Sequence, residues 1–157
     1  MTPAVDELKN SGVEFTLHPY DHDPSTPSYG LEAAEVLGVE PDVVFKTLMA
    51  DAGVQGLVVA IVPVTEMLNL KALAAVFGQK RASMARREDA ERSSGYVAGG
   101  ISPFGQRTRR PTAIDESALI CETIFVSGGR RGLDLEMRPE DLVSLLNARS
   151  GALTRSK

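Results

Sequence analysis

Val43-Val44-Phe45-Lys46-Thr47-Leu48-Met49, then Asp51-Ala52-Gly53, then Gly56-Leu57-Val58-Val59-Ala60-Ile61-Val62 is the stretch that decides the fold. Two apolar runs of strand length joined by a short glycine-containing link read as a β-hairpin. One residue breaks the first run. Strand alternation places Lys46 on the same face as Val44 and Leu48. A lysine among apolar side chains must reach out to water, lose its proton, or meet an anion in a pocket. An edge-strand lysine that blunts aggregation is the competing reading, and this segment alone does not separate the two.

Working outward from the hairpin, Pro3 to Asn10 reads as a helix with Thr2 as N-cap, Pro3 at the first helical position and Gly12 closing it. Val13 to His18 alternates, with Val13, Phe15 and Leu17 on the core face and Thr16, His18 and Tyr20 on the other. Asp21 to Pro27 is a polar, proline-rich loop. A helix from about Gly30 to Leu37 ends at Gly38. Downstream, Leu70 to Phe77 and Arg86 to Ser93 read as short helices stopped by Gly78 and Gly95. Strands are expected at Thr112 to Asp115, Thr123 to Val126 and Leu133 to Met137, the last two flanking a turn Ser127-Gly128-Gly129-Arg130. Pro139 opens a last helix to about Ala148, and the chain from Gly151 onward reads as frayed. Strands and helices interleave irregularly with several hairpins, which predicts an α+β domain built around a curved mixed sheet.

The 157 residues fit one domain with a sizeable core. Cys121 is the only cysteine, so an internal disulfide and a multi-cysteine metal knot are excluded. The opening MTPAVDELKN has acidic residues and no apolar run, unlike a signal peptide. The longest apolar stretch, Leu57 to Val64, is too short to span a bilayer. A cytoplasmic protein with no membrane partner is therefore expected. Net charge is −4, yet it is unevenly spread. Residues 1–70 carry 2 Lys/Arg against 11 Asp/Glu, while residues 71–110 carry 9 against 3. That pattern suits an acidic body with one basic surface touching part of a polyanion, and a solvated basic face accounts for it equally well. It does not suit a protein that wraps duplex DNA.

Two glycine-rich segments complete the set of candidates. Gly95 to Gly105, Gly-Tyr-Val-Ala-Gly-Gly-Ile-Ser-Pro-Phe-Gly, has the backbone freedom to bring N–H groups close to a phosphate or a polarised carbonyl. It is neither a P-loop, since no Gly-Lys-Ser/Thr follows, nor a nucleophile elbow, since Pro103 after Ser102 lacks the required N–H. In Val126 to Asp134, Leu133, Leu135 and Met137 share one face and leave Asp134 and Glu136 on the other. His18 and His22 have the spacing of a helical metal pair, but Pro19 and Pro24 forbid that helix, so no metal site is expected. Cys121 has no histidine nearby in sequence and reads as packing. The chain thus offers a lysine pocket and glycine loops without an evident nucleophile.

Taken in order, these segments resemble the YbaK/EbsC family, in particular its bacterial Cys-tRNA(Pro) deacylases. The resemblance runs from Met1-Thr2-Pro3-Ala4-Val5 through Tyr20-Asp21-His22-Asp23-Pro24 and Phe45-Lys46-Thr47-Leu48. It continues with Ser94-Gly95-Tyr96, Gly99-Gly100-Ile101-Ser102-Pro103, Val126-Ser127-Gly128-Gly129 and Arg131-Gly132-Leu133-Asp134. It implies a barrel-like mixed sheet flanked by helices, shared with the editing domain of bacterial prolyl-tRNA synthetases. It further implies that Lys46 contacts the tRNA 3′-terminal nucleotide and positions the ester. Tyr20, Gly99, Gly100, Ile101, Ser102, Pro103, Ser127 and Asp134 would line the pocket. No cofactor is implied. The attacking group would be the thiol of the substrate's own cysteine, which explains the absent nucleophile.

The expectation is a trans-acting deacylase of mischarged Cys-tRNA(Pro) that meets the tRNA acceptor end and works with prolyl-tRNA synthetase. An Ala-tRNA(Pro) deacylase on the same fold and a non-catalytic tRNA-binding module are the alternatives. The first alternative needs a protein-held water, because alanine has no thiol; the second needs no turnover at all.

Overall fold

The computed structural model describes residues 1–26 and 28–156. In chain order its elements are α1 (Pro3–Ser11), β1 (Phe15–Pro19), α2 (Tyr29–Leu37), β2 (Phe45–Asp51), β3 (Leu57–Pro63), β4 (Met67–Leu68), α3 (Leu70–Val76), β5 (Ser83–Met84), α4 (Arg87–Ser94), β6 (Thr112–Asp115), β7 (Ile124–Arg130), β8 (Leu133–Met137), α5 (Pro139–Leu146), β9 (Arg149–Gly151) and β10 (Thr154–Arg155). The α+β class expected from the sequence holds. The strands pair as three sheets, and no closed barrel is found among the described residues.

The central hairpin forms as read, with Phe45 opposite Pro63 and Asp51 opposite Leu57. It anchors a five-stranded mixed sheet of order β5-β2-β3-β6-β9. β2 and β3 run antiparallel, whereas β6 and β9 join in parallel. A second sheet of order β1-β8-β7 is wholly antiparallel. One parallel bridge, Val44 to Phe125, links the entrance of β2 to β7.

Each sheet has an apolar face because side chains alternate along a strand. Leu133, Leu135 and Met137 of β8 and Ile124 and Val126 of β7 are buried, with Phe15 and Leu17 of β1 packed alongside. They meet α1 through Ala4 and Leu8, and α5 through Leu142 and Leu146. On the far side of the five-stranded sheet, Ala50, Val58, Ala60 and Val62 pack on Leu73 of α3 and on Leu153. A third cluster, Ala33, Ala34, Val44, Val64 and Phe125, seats α2 over the junction of the two sheets.

Local chemistry fixes the helix ends. The Thr2 hydroxyl accepts from the Val5 amide, Pro3 opens α1, and Gly12 closes it in the left-handed conformation that L side chains resist. Ser28 caps α2 in the same manner. Pro27, the last residue of the expected proline-rich loop, lies outside the described residues.

Two expectations need correction. Ser127 to Arg130 is not the turn between β7 and β8. It belongs to β7, where the register jumps between Ser127 and Arg130, and the chain reverses at Arg131-Gly132. Gly129 and Gly132 both have positive φ, 109° and 82°, so a bulge and a turn follow one another within a few residues. The segment from Gly151 is also not frayed. β10 pairs with β4, Leu153 is fully buried, and its amide donates to Asp115 Oδ1 at 2.8 Å. Lys157, the last residue of that segment, lies outside the described residues. The short strands β4, β5, β9 and β10 carried no periodicity long enough to be read.

The buried Leu153 makes the C-terminal segment part of the core. Leu153→Ala is expected to cost about 2–5 kcal/mol, the usual penalty for a cavity in a packed interior. Urea denaturation of the two proteins measures it, and a frayed tail would give no change.

Candidate active site

A cavity of about 250 Å³ opens where the two sheets meet under α2. Its wall is built from strand faces. On the β1-β8-β7 sheet, Asp134 stands opposite both His18 and Ser127 in register. Directly opposed residues in antiparallel strands project to the same side. The face opposite the apolar one therefore gathers Tyr20, Asp134 and Ser127, which all line the cavity. The Val44–Phe125 bridge brings β2 alongside β7, and Val44, Lys46 and Leu48 form the facing wall.

The glycine-rich loop supplies a third side. Its interior is packed: Tyr96 donates its hydroxyl to the Phe104 carbonyl at 2.6 Å, and Phe104 is fully buried. Gly99 and Ile101 reach the cavity. Gly99 has φ +88°, and a Cβ there would lie 2.4 Å from the Tyr29 ring, so only glycine fits. Gly100, Ser102 and Pro103 are not among the lining residues, contrary to the expectation for this loop. Gly100 backs onto the Arg130 main chain, where a Cβ would come within 2.9 Å. Ser102 is fully buried, and its hydroxyl accepts from the Phe104 amide. Pro103 faces a different cleft beside Arg109 and Arg110. These three shape the loop from behind.

Phe45 and Thr47 of β2 also line the cavity, as do residues that sequence reading did not assign to the site. Ser28, Tyr29 and Gly30 come from the start of α2, Val64 from the end of β3, and Arg130 and Arg131 from the β7–β8 turn. Gly30 sits so close to Val64 that a Cβ would fall 2.2 Å from its Cγ1, which brings α2 down onto the cavity. Arg131 is a rim cation fixed in place. Its Nη2 donates to the Ala98 carbonyl at 2.7 Å, and its guanidinium lies 4.5 Å from the Tyr29 ring centroid. A cation just past a bulge gives no periodic signal. The basic segment 71–110 contributes only Gly99 and Ile101, so its excess charge lies elsewhere on the surface.

The entry loop is clamped by Glu32. Its buried carboxylate accepts from His22 Nδ1 at 2.8 Å and from the Asp23 amide at 2.7 Å. Burial opposes ionisation of Glu32, but these partners prevail and hold its pKa below the ordinary value. His22 and Tyr29 rings lie 5.2 Å apart. His18 turns to Glu136, at 2.9 Å, and stacks beside Phe125. Neither histidine lines the cavity, and Cys121 is absent from its wall. Burial, aided by Asp42, raises the Cys121 thiol pKa, as for a packing residue.

Electrostatically the cavity is uneven. Burial pushes the Asp134 carboxyl up to about 7, so near neutral pH it is poised between acid and base. Burial, then the charges of Asp134 and Glu32, push the Tyr20 phenol up to about 12, so it stays protonated and can donate. Arg130 and Arg131 carry positive charge on the wall that holds this single lining acid, and Lys46 stands on β2 in the same wall. The arrangement can hold a small polar group between Asp134, Ser127 and Lys46 with an anionic extension toward the arginines.

Fold and cavity together define an α+β domain with a cationic rim and a buried titratable acid. The sequence profile of the aminoacyl-tRNA editing domain matches residues 23–145, and the chain belongs to that family. The Enterococcus faecalis protein named "Putative Cys-tRNA(Pro)/Cys-tRNA(Cys) deacylase EbsC" is 40% identical over 121 residues, 77% of this chain and 74% of its own length. Two solved structures share the fold. The hypothetical protein APE2540 superposes with a TM-score of 0.84 at 24% identity, covering 98% of this chain and 99% of its own. A crystal structure described as "a putative trans-editing enzyme for prolyl tRNA synthetase" gives 0.81 at 22% identity, covering 98% and 93%.

The raised Asp134 pKa has a measurable consequence. An unfolded aspartate ionises near 3.8, so between that value and about 7 the native state binds more protons than the unfolded one. The stability contributed by the protonated carboxyl is present at acid pH and lost as pH rises through this window. Asp134→Asn is expected to gain stability relative to the parent at about pH 8, with the gap closing as pH falls toward about 4. Urea midpoints across that range measure it; parallel curves for the two proteins would place Asp134 in an ordinary solvated setting.

Proposed function

We propose that the chain acts in trans, as one editing domain, to deacylate mischarged Cys-tRNA(Pro), with the substrate's cysteine thiol as nucleophile. The observation that carries this is a cavity with charged and donor groups but, among the described residues, neither cysteine nor histidine in its wall. Ser127 is there without an imidazole to activate it, and its hydroxyl accepts from the Gly129 amide at 3.1 Å. The family and the name of the Enterococcus relative support the same substrate class.

In this reading the aminoacyl ester lies between β2 and β8. Lys46 positions the terminal ribose and the ester. The thiol sulfur attacks the ester carbonyl carbon, and the carbon–oxygen bond to the ribose breaks. The thiol proton passes by way of Asp134, or a water on it, to the departing ribose oxygen, yielding free tRNA and a cyclic thiolactone. Asp134 suits that relay because a carboxyl with a pKa of about 7 can both take up and give back a proton near neutral pH. Holding thiol and carbonyl in one cavity replaces an encounter with an intramolecular step, which is worth several kcal/mol of barrier. Developing negative charge on the carbonyl oxygen meets Lys46 and the Gly99 loop backbone.

Selectivity follows from chemistry, because alanine and proline esters have no thiol to attack. Prolyl-tRNA synthetase is the partner this reading calls for, since the cavity engages only the aminoacyl end and leaves the tRNA body to another protein. A barrel-like arrangement of the core belongs to the same proposal, and the Val44–Phe125 bridge that joins the two sheets supports it.

Purified protein mixed with Cys-tRNA(Pro) and Ala-tRNA(Pro), with ester loss followed in time, tests the proposal. Cysteinyl ester is expected to disappear selectively, and Lys46→Ala is expected to slow this by about a hundredfold or more. Selective loss of the alanyl ester would replace thiol attack by a protein-held water. Loss of neither, even with prolyl-tRNA synthetase present, would leave a binding module.

A further inference from the structure

Arg130 and Arg131 have no part in the ester chemistry above, yet both line the cavity. A guanidinium offers five N–H donors in a planar fork. The Ala98 carbonyl takes a donor from Nη2 of Arg131, and its Nε–H is shielded against Gly99, so the donors left for a ligand are those of the terminal guanidinium nitrogens. The Tyr29 ring beneath fixes the plane of the group. A cation pinned at a cavity wall with donors to spare is what a phosphate oxygen satisfies, and arginine matches phosphate geometry better than lysine does. Arg130 is exposed beside it, and among the described residues its Nη1 donates to the Arg131 carbonyl at 3.3 Å. It is free to add a second contact.

A neighbouring stretch of the surface, along α2, repels such a group. Asp21, Asp23, Glu32 and Glu35 line an adjoining groove along α2, which shares Ser28 with the cavity. A phosphodiester running that way would meet four carboxylates, whereas one running over the β7–β8 turn meets two arginines. With Lys46 on the strand wall at the ester end, the positive groups divide into two stations.

We infer that Arg131, assisted by Arg130, binds the phosphate on the 5′ side of the substrate's terminal nucleoside, so that the acceptor strand leaves the cavity over the β7–β8 turn. This rests on the editing reading and specifies how its polyanionic substrate is held. Gly99 belongs to the device: a Cβ there would press on Arg131 Nε at 2.8 Å and on the Tyr29 ring, displacing the guanidinium.

Calorimetric titration with adenosine and with adenosine 5′-phosphate tests the assignment without any ester present. The wild-type protein is expected to favour the phosphorylated nucleoside by about tenfold or more, the usual advantage of a charge-assisted pair. Arg131→Ala is expected to abolish most of that preference. Because Arg131 also supports the Gly99 loop, the exposed Arg130→Ala serves as the second variant; it should reduce the preference while leaving adenosine affinity unchanged. Equal binding of the two ligands by wild type, no binding of either, or a preference intact in both variants overturns the assignment. The two proposals fail separately. Deacylation of Cys-tRNA(Pro) with no phosphate preference removes only this one, and a phosphate preference without deacylation removes the editing reading.

Discussion

The backbone bridge between Val44 and Phe125 is the constraint on which the cavity depends. Lys46 belongs to one sheet and Asp134 to another, and neither sheet alone encloses anything. Val44 and Phe125 are 1% and 5% exposed, inside the small apolar cluster that also receives α2. Burying that cluster pulls two polar strand faces into register and lowers Tyr29 and Gly30 over them. The hydrophobic effect here is spent on geometry as much as on stability. Lys46 stands two positions along β2 from Val44, and Ser127, the cross-strand partner of Asp134, stands two positions along β7 from Phe125.

A buried carboxyl with arginines in the same cavity wall would ordinarily be expected to ionise early. The opposite holds for Asp134, because its desolvation is the dominant influence. The rim cations are arranged to meet a ligand's charge instead of neutralising the protein's own acid. That division keeps Asp134 able to exchange a proton near neutrality while the mouth remains attractive to an anion. Tyr20, with its phenol held protonated, adds a donor that does not titrate in the working range.

Much of this was legible in the sequence wherever a regular period operated. The alternation of Lys46 and Leu48 predicted their common face, and their cross-strand partners Val62 and Ala60 share one apolar cluster while Phe45 and Met49 pack in another. Likewise the alternation in Val13 to His18 and Leu133 to Met137 separated the apolar face from the one bearing Tyr20 and Asp134. Legibility failed where period gave way to backbone irregularity. The bulge after Ser127 moved the turn to Arg131-Gly132 and carried Arg130 and Arg131 to the cavity, which no alternation rule foresees. In the glycine-rich loop, composition marked the segment but could not tell its lining residues, Gly99 and Ile101, from Gly100, Ser102 and Pro103 behind them. Two-residue strands such as β4 and β10 are set by tertiary contact, so Leu153 could be recognised as core only once its partners were in place.

The make-up of the cavity wall also bears on how this protein could be inhibited. Reagents that report on hydrolases by capturing an activated serine or cysteine need a base-assisted nucleophile. The wall offers Ser127 without a histidine, while Cys121 stands apart from it. Warheads of that kind have no purchase here. A compound for this site would have to be held reversibly, by its fit beneath Tyr29 and Gly30 and by its charge.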